Sequence, residues 1–186
     1  RLALSGQLGE DAFTSDEMRE TMALCVGCKG CKRECPTGVD MARMKTEFLY
    51  HYTRRHGLKL RDRLIAYLPR YAATARGCAL LLNLRDTIPG VAKLSEWITG
   101  LSAKRKLPKW RRDAFDEHGE AFGPRDGHPV VLLADTFNTN FEPENLTAAI
   151  SVLTHAGYRV NVAGAPAGER PLCCGRTFLA AGLVDE

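Results

Sequence analysis

Four cysteines fall within eleven positions near the start of the chain, in the stretch LCVGCKGCKRECPTG that spans residues 24–38. Thiolates bind zinc ions and iron–sulfur clusters. Zinc sites take ligands from two separated knuckles, whereas four thiols on one short loop can surround a cluster. The spacing C-x2-C-x2-C-x3-C-P is an iron–sulfur ligand pattern. It predicts a [4Fe–4S] cluster bound by Cys25, Cys28, Cys31 and Cys35.

Two alternatives remain open at this loop. In two-cluster proteins the fourth cysteine of such a run binds the other cluster, so Cys35 either closes the local cluster or ligates a second one. The second case needs a further ligand from upstream, and because the chain begins at Arg1 we expect it to be a piece of a longer protein. The other alternative is a zinc-stabilised binding or scaffold domain without a redox role.

A second cysteine site lies near the other end, where RPLCCGRTF (170–178) places Cys173 and Cys174 side by side. The pair follows a predicted strand and precedes a predicted helix, and a helix N-terminus favours the thiolate form. The spacing alone supports two interpretations equally: metal-binding or redox thiols, or small buried residues at a tight turn. We treat Cys173 and Cys174 as a candidate second metal site.

The elements that flank the cysteine loop are predicted to be helices. Residues 14–24 read as a helix with Thr14 as N-cap and Glu17 completing a capping box. A second helix is expected to begin near Asp40, and helical spacing predicts that its core face carries Met41, Met44, Phe48 and Tyr52.

The sequence pattern changes along the rest of the chain. Residues 58–102 read as helices, with Trp97 expected in the core and Trp110 as an anchor of the basic connector that follows. Residues 129–135 and 159–164 read as buried strands on either side of a helix that Gly157 ends, which predicts a parallel α/β unit.

These patterns predict an α+β fold in three segments. We expect a helical cluster-binding region over residues 1–56, a basic helical region and linker over residues 57–128, and an α/β unit over residues 129–186.

Charge is distributed unevenly along the chain. Residues 51–112 contain 15 Lys or Arg and three acidic residues, a local excess of +12, whereas residues 129–186 contain three basic and six acidic residues. The basic region suits an acidic protein partner or an anionic membrane, and solvated helix faces are the equal alternative. Without a recognisable binding motif, we expect no nucleic-acid partner.

The cysteine count bears on the compartment. Seven cysteines, an odd number, do not read as a secreted disulfide framework, and no signal peptide is recognisable. We expect a cytoplasmic protein, peripheral at the inner face of the membrane if the basic region binds lipid.

The stretches CVGCKGCKRECPTGVDMARMK, DTFNTNFEPEN and RPLCCGRTFLAAGLVDE together resemble the iron–sulfur and cysteine-rich (CCG) portion of FAD-linked D-2-hydroxy-acid dehydrogenases. Similar sequences occur in the iron–sulfur subunits of glycolate oxidase and anaerobic glycerol-3-phosphate dehydrogenase and in heterodisulfide reductase. Members with a complete cysteine-rich motif carry a lone cysteine where this chain has Asp135–Thr136.

The resemblance implies that residues 1–56 form an α-helical ferredoxin-like domain and that residues 129–186 form the N-terminal part of an α/β cysteine-rich (CCG) domain. It also implies an electron-transfer role. Electrons would pass from FAD, bound by a dehydrogenase domain or subunit outside these residues, through the cluster to a downstream acceptor, either a quinone or an electron-transfer protein. The resemblance names no catalytic residue for substrate oxidation in this chain.

Overall fold

The structure is a computed structural model that describes residues 2–3, 5–166 and 168–186. It contains two compact units, the first comprising the chain up to Ala66 together with Gly175–Glu186 and the second comprising Tyr67–Cys174. The units reflect packing, whereas the segments 1–56, 57–128 and 129–186 were drawn from composition and motifs. That three-part division stays a prediction.

The described secondary structure mixes many helices with one small sheet, which confirms the α+β class. In chain order the α-helices are α1 (Asp16–Ala23), α2 (Gly30–Glu34), α3 (Met41–His56), α4 (Leu60–Ala66), α5 (Leu68–Ala75), α6 (Ala79–Asn83), α7 (Val91–Thr99), α8 (Thr136–Asn140), α9 (Pro143–His155) and α10 (Arg176–Ala180). The 3-10 helices are Glu10–Thr14, Arg76–Cys78 and Leu84–Asp86, and the strands are β1 (Ala121–Phe122), β2 (His128–Leu132) and β3 (Tyr158–Val162).

Helix α1 begins one residue later than the sequence pattern predicted. Ser15 is the N-cap, because its hydroxyl oxygen accepts a hydrogen bond from the Met18 backbone N–H at 3.2 Å. The Thr14 hydroxyl donates to the Asp11 carbonyl oxygen at 3.3 Å and so belongs to the preceding 3-10 helix. The prediction of Thr14 as the cap was wrong because two adjacent hydroxyl residues can each cap a helix and the pattern does not choose between them.

Helix α3 forms the centre of the first unit. Asp40 is its N-cap and accepts a hydrogen bond from the Arg43 backbone N–H at 3.0 Å, as the sequence indicated. Phe48 and Tyr52 are buried, which confirms half of the predicted apolar stripe, and the Phe13 ring packs edge-on against Phe48 at 6.0 Å. These aromatic contacts fix α3 against the N-terminal segment and so support the cysteine loop that precedes it.

The second unit is built around the sheet, whose strand order is β1-β3-β2. Strands β2 and β3 are parallel with Val130 opposite Val160, and α9 connects them, which confirms the predicted parallel unit. The short strand β1 is antiparallel to β3. The core lies where the sheet meets α9 and contains Phe115, Ala134, Leu146, Ile150, Val160 and Val162.

The two tryptophans of this unit have different environments. Trp110 exchanges two hydrogen bonds with the Asn83 side chain and packs against Phe141 at 4.8 Å, which confirms it as an anchor. Trp97, expected in the core, is 84% exposed, so that prediction was wrong. The structural reason is that the half-buried side of α7 carries Val91, Ala92, Ser95 and Thr99, while Trp97 lies on the exposed side.

Across the described residues, no helix is both long enough and apolar enough to cross a membrane.

Candidate metal centre

The cysteine loop connects α1 to α3 within the first unit and contains α2. The Cys25 backbone N–H donates to the Met22 carbonyl oxygen at 3.1 Å, and the Cys35 backbone N–H donates to the Cys31 carbonyl oxygen at 2.9 Å. Helix α2 begins after Lys29, whose φ of 60° lies in the left-handed region that side chains with a Cβ rarely adopt. Such strain persists only where the surrounding structure enforces it, and it is concentrated at functional loops.

Hydrogen-bond donors lie close to two of the four sulfur atoms. The Met41 backbone N–H donates to the Cys31 Sγ at 3.3 Å, and the Thr37 Oγ1 lies 3.1 Å from the Cys35 Sγ. The Thr37 hydroxyl, followed by the backbone N–H groups of Val39 and Thr37, lowers the pKa of the Cys35 thiol. These contacts favour thiolate, the form that binds metal.

Basic side chains surround the loop. The Lys45 Nζ on α3 donates to the Cys25 carbonyl oxygen at 2.6 Å and so ties the first cysteine to the long helix. Lys29, Lys32 and Arg33 are exposed, and the Lys32 Nζ lies 3.9 Å from the Asp40 carboxylate. Positive charge here would offset the negative charge of a thiolate-ligated centre.

The four thiols are free and partly accessible. Cys25, Cys31 and Cys35 are half-buried and Cys28 is exposed. In the part of the chain that the structure describes, no three His, Cys, Asp or Glu side chains are placed so that they could hold one metal ion. The assignment of the four cysteines as ligands therefore stays a prediction.

The chemistry of the donor set is compatible with an iron–sulfur cluster. It consists of thiols alone, on one short loop, with N–H and O–H donors beside two of the sulfurs, and such hydrogen bonds are among the features that tune cluster potentials.

The second cysteine site has a different environment. Cys173 is half-buried, Cys174 is exposed, and both are free thiols. Gly175 follows with a φ of 69° and caps α10, a helix of only five residues. The candidate metal role of this pair stays a prediction.

Asp135, at the position where the resembling family has its lone cysteine, caps α8. Its carboxylate accepts hydrogen bonds from the backbone N–H groups of Phe137 at 2.9 Å and Asn138 at 3.3 Å. The adjacent Thr136 and the residue before the cysteine pair, Leu172, line the same cavity of about 250 Å³. The second unit therefore brings these two sequence motifs to one cavity, with a carboxylate serving as a helix cap at the first of them.

Sequence reasoning missed three groups at the loop: the Thr37 hydroxyl, the Met41 backbone N–H and Lys45. Thr37 carried a usable signal, because it lies two residues after the last cysteine. The Met41 N–H gave no signal, because every residue except proline has a backbone N–H. Lys45 gave none either, because it contacts the loop only after α3 has packed beside it.

Comparison with known proteins gives relatives of one kind. The chain is 31% identical over 185 residues to the D-2-hydroxyglutarate dehydrogenase of Pseudomonas putida, a match that covers 88% of this chain and 17% of the relative. It is 36% identical over 93 residues to the enzyme of that name from Escherichia coli, covering 50% of this chain and 9% of the relative. The enzyme of that name from Pantoea ananatis is 38% identical over 64 residues, or 34% of this chain and 6% of the relative.

These matches relate the chain to hydroxy-acid dehydrogenases at modest identity. The chain spans less than a fifth of the relatives' length. No protein-family model matches it, and no solved structure matches it.

Proposed function

We propose that this chain is the iron–sulfur electron-relay module of an FAD-linked 2-hydroxy-acid dehydrogenase. The observation that carries the proposal is a loop of four free cysteines on which neighbouring N–H and O–H groups are directed at sulfur atoms. Similarity to D-2-hydroxyglutarate dehydrogenases supports the oxidoreductase setting. A bound [4Fe–4S] centre would supply one-electron transfer between a reduced flavin and an acceptor.

The residues of the chain have defined tasks in this proposal. Cys25, Cys28, Cys31 and Cys35 hold the centre, and the Thr37 hydroxyl and the Met41 N–H stabilise negative charge on the sulfurs of Cys35 and Cys31. Lys45 holds the Cys25 end of the loop on α3. The chain thereby sets the potential and the solvent access of the centre.

The first test is anaerobic purification of this chain, with iron, zinc and acid-labile sulfide quantified and an EPR spectrum recorded after reduction with dithionite. Iron and sulfide at about four per chain, with a reduced-cluster signal, are expected for one [4Fe–4S] centre. Zinc without sulfide would overturn the relay in favour of a zinc-stabilised scaffold.

Two single variants decide the role of the fourth cysteine. Cys35→Ser is expected to lose iron if Cys35 closes the local centre and to retain it if Cys35 serves another centre. Cys78→Ser is the matched control, because Cys78 is an exposed free cysteine outside the loop, and it is expected to retain full iron. Equal loss in both variants would overturn the assignment of Cys35.

The proposal places FAD and the hydroxy-acid site in a dehydrogenase domain or subunit outside these residues. The relatives support this, because most of their length lies outside the match. D-2-hydroxyglutarate added anaerobically to a longer chain that includes the flavin-binding region is expected to bleach the visible absorbance of the centre. If the flavin is reduced and the absorbance does not change, the module does not act as the relay.

A further inference from the structure

Helix α7 exposes its three largest apolar side chains. Leu94, Trp97 and Ile98 have the i, i+3, i+4 spacing that places them on one helix face, and they are 56%, 84% and 55% exposed. The half-buried residues of the helix are two small polar ones, Ser95 and Thr99, and the apolar Val91 and Ala92 of its first turn. In a helix that packs on its own domain the large apolar side chains face inward, so this exposed face is a candidate contact surface.

The half-buried side of α7 contacts Arg85, which is only 7% exposed. Its guanidinium donates to the Ser95 Oγ at 3.2 Å, to the Ser102 carbonyl oxygen at 2.8 Å and to the Leu101 carbonyl oxygen at 3.3 Å. These bonds satisfy a buried charge and hold the polar side of α7 inward. The apolar face is therefore exposed because of a defined network of hydrogen bonds.

The same network positions a basic segment directly after α7. Arg85 donates to the Arg105 carbonyl oxygen at 3.4 Å, and the Asp86 carboxylate accepts from the Leu107 backbone N–H at 2.9 Å. The side chains of Lys104, Arg105 and Lys106 between these anchors are exposed.

We propose that this surface, the α7 docking face, binds the surface of an anionic lipid bilayer. It is defined by Leu94, Trp97 and Ile98 with the basic segment Lys104–Arg105–Lys106. Charge complementarity supports a lipid partner, because residues 67–112 of the second unit contain ten Lys or Arg and two acidic residues. Trp, Leu and Ile beside Lys and Arg are typical of helices that lie in the membrane interface, whereas lysine is depleted in protein–protein interfaces.

The contact lies on the membrane and does not cross it. Helix α7 has nine residues and is about 13 Å long at 1.5 Å per residue, far shorter than a bilayer core. The binding is independent of the bound metal and of the relay, so it is tested separately from the proposed function. We expected a protein that is peripheral at the inner face of the membrane, and this proposal names the surface that would make the contact.

Co-sedimentation of this chain with vesicles is the test, using phosphatidylcholine alone and phosphatidylcholine with about a third phosphatidylglycerol. We expect binding to the anionic vesicles at physiological salt and at least tenfold weaker binding to the neutral ones. Because Trp97 is exposed and Trp110 is packed, binding is expected to shift the fluorescence of Trp97 to shorter wavelength in a Trp110→Phe background.

Two pairs of variants test the face itself. Leu94→Ser with Trp97→Ser is expected to weaken binding at least tenfold, while the control Val152→Ser, at a 69% exposed position on α9, leaves it unchanged. Lys104→Gln with Lys106→Gln is expected to weaken binding more than Arg125→Gln with Arg159→Gln, which removes the same charge from exposed positions of the same unit.

Three results would overturn the proposal. One is failure to bind anionic vesicles, and another is equal weakening by the docking-face and control variants. The third is protection of Trp97 from acrylamide quenching, without lipid, in a longer chain that contains the flavin-binding region, since that would identify the face as a protein–protein interface.

Discussion

In the cysteine loop, the Met41 N–H and the Thr37 hydroxyl lie within 3.3 Å of thiol sulfurs, whereas among the described residues no hydrogen bond reaches the sulfur of Cys173 or Cys174. The loop is also tied to a long helix by Lys45, while the pair precedes a helix of five residues. The two regions therefore differ in the groups that surround their cysteines, and the predictions change residues in or beside each region.

The largest expected effect is loss of a loop cysteine. Cys31→Ala is expected to remove nearly all bound iron and sulfide, because a cluster that lacks one of its thiolate ligands is lost on purification. Cys174→Ala is expected to retain iron and sulfide at the wild-type ratio. Metal analysis of both variants, with circular dichroism to confirm folding, is the measurement. A fall in metal content in Cys174→Ala would make the two sites equivalent.

A moderate effect is expected at Asp135, where the structure has a helix cap and the resembling family has a cysteine. Asp135→Ala removes the acceptor for two backbone N–H groups of α8 and is expected to lower the free energy of unfolding by about 1 kcal/mol. Denaturant unfolding measures the change, with the exposed Asp126→Ala as control. Loss of metal without loss of stability would instead assign Asp135 to a metal site.

Removal of one hydrogen-bond donor at the loop is expected to change the reduction potential. Thr37→Val takes away the hydroxyl beside the Cys35 Sγ, and a hydrogen bond of about 1 kcal/mol corresponds to roughly 40 mV for one electron. Because the donor favours the more negative, reduced state, the potential is expected to fall. Redox titration followed by EPR measures the shift. Thr37→Ser keeps the hydroxyl and is expected to stay near the wild-type value.

The helices and strands were predicted correctly from the sequence wherever the apolar side chains of a periodic pattern are buried in the structure. The Phe48–Tyr52 face of α3 and the parallel β2–α9–β3 unit were predicted because apolar spacing directly specifies a buried face. The prediction for Trp97 was wrong because a sequence pattern identifies an apolar helix face without showing whether that face is turned inward. In the structure Trp97 is exposed, and Arg85 contacts the other side of α7 through Ser95.

At the candidate site the sequence predicted the ligands and not their neighbours. The spacing of the four cysteines is a local property, so it can be read from the chain. The Lys45–Cys25 contact joins residues 20 positions apart and exists only after α3 has packed beside the loop. The family position Asp135 shows the same limit, because its capping role depends on the helix that follows it.

The smallest effect concerns the packing of α1 against α3, the two helices that flank the loop. The Tyr52 hydroxyl donates to the Asp16 Oδ1 at 2.5 Å. This hydrogen bond, with burial, raises the pKa of Tyr52, and the same bond lowers the pKa of Asp16. Asp16→Asn is expected to return the Tyr52 phenol toward its ordinary pKa near 10, as measured by tyrosinate absorbance in an alkaline titration. Glu17→Gln, the same charge change one residue along α1, is the control and is expected to leave that titration unchanged.

The sign of the linked stability follows from the direction of each shift. A phenol whose folded pKa is raised stabilises the fold below its unfolded pKa near 10, and that stability is lost as pH rises through the folded value. A carboxyl whose folded pKa is lowered stabilises the fold above about pH 4. The difference in melting temperature between wild type and Asp16→Asn is therefore expected to be constant from pH 6 to 9 and to shrink above pH 10. A difference that does not change with pH would mean that the hydrogen bond between the Tyr52 phenol and the Asp16 carboxylate does not stabilise the packing of α1 against α3.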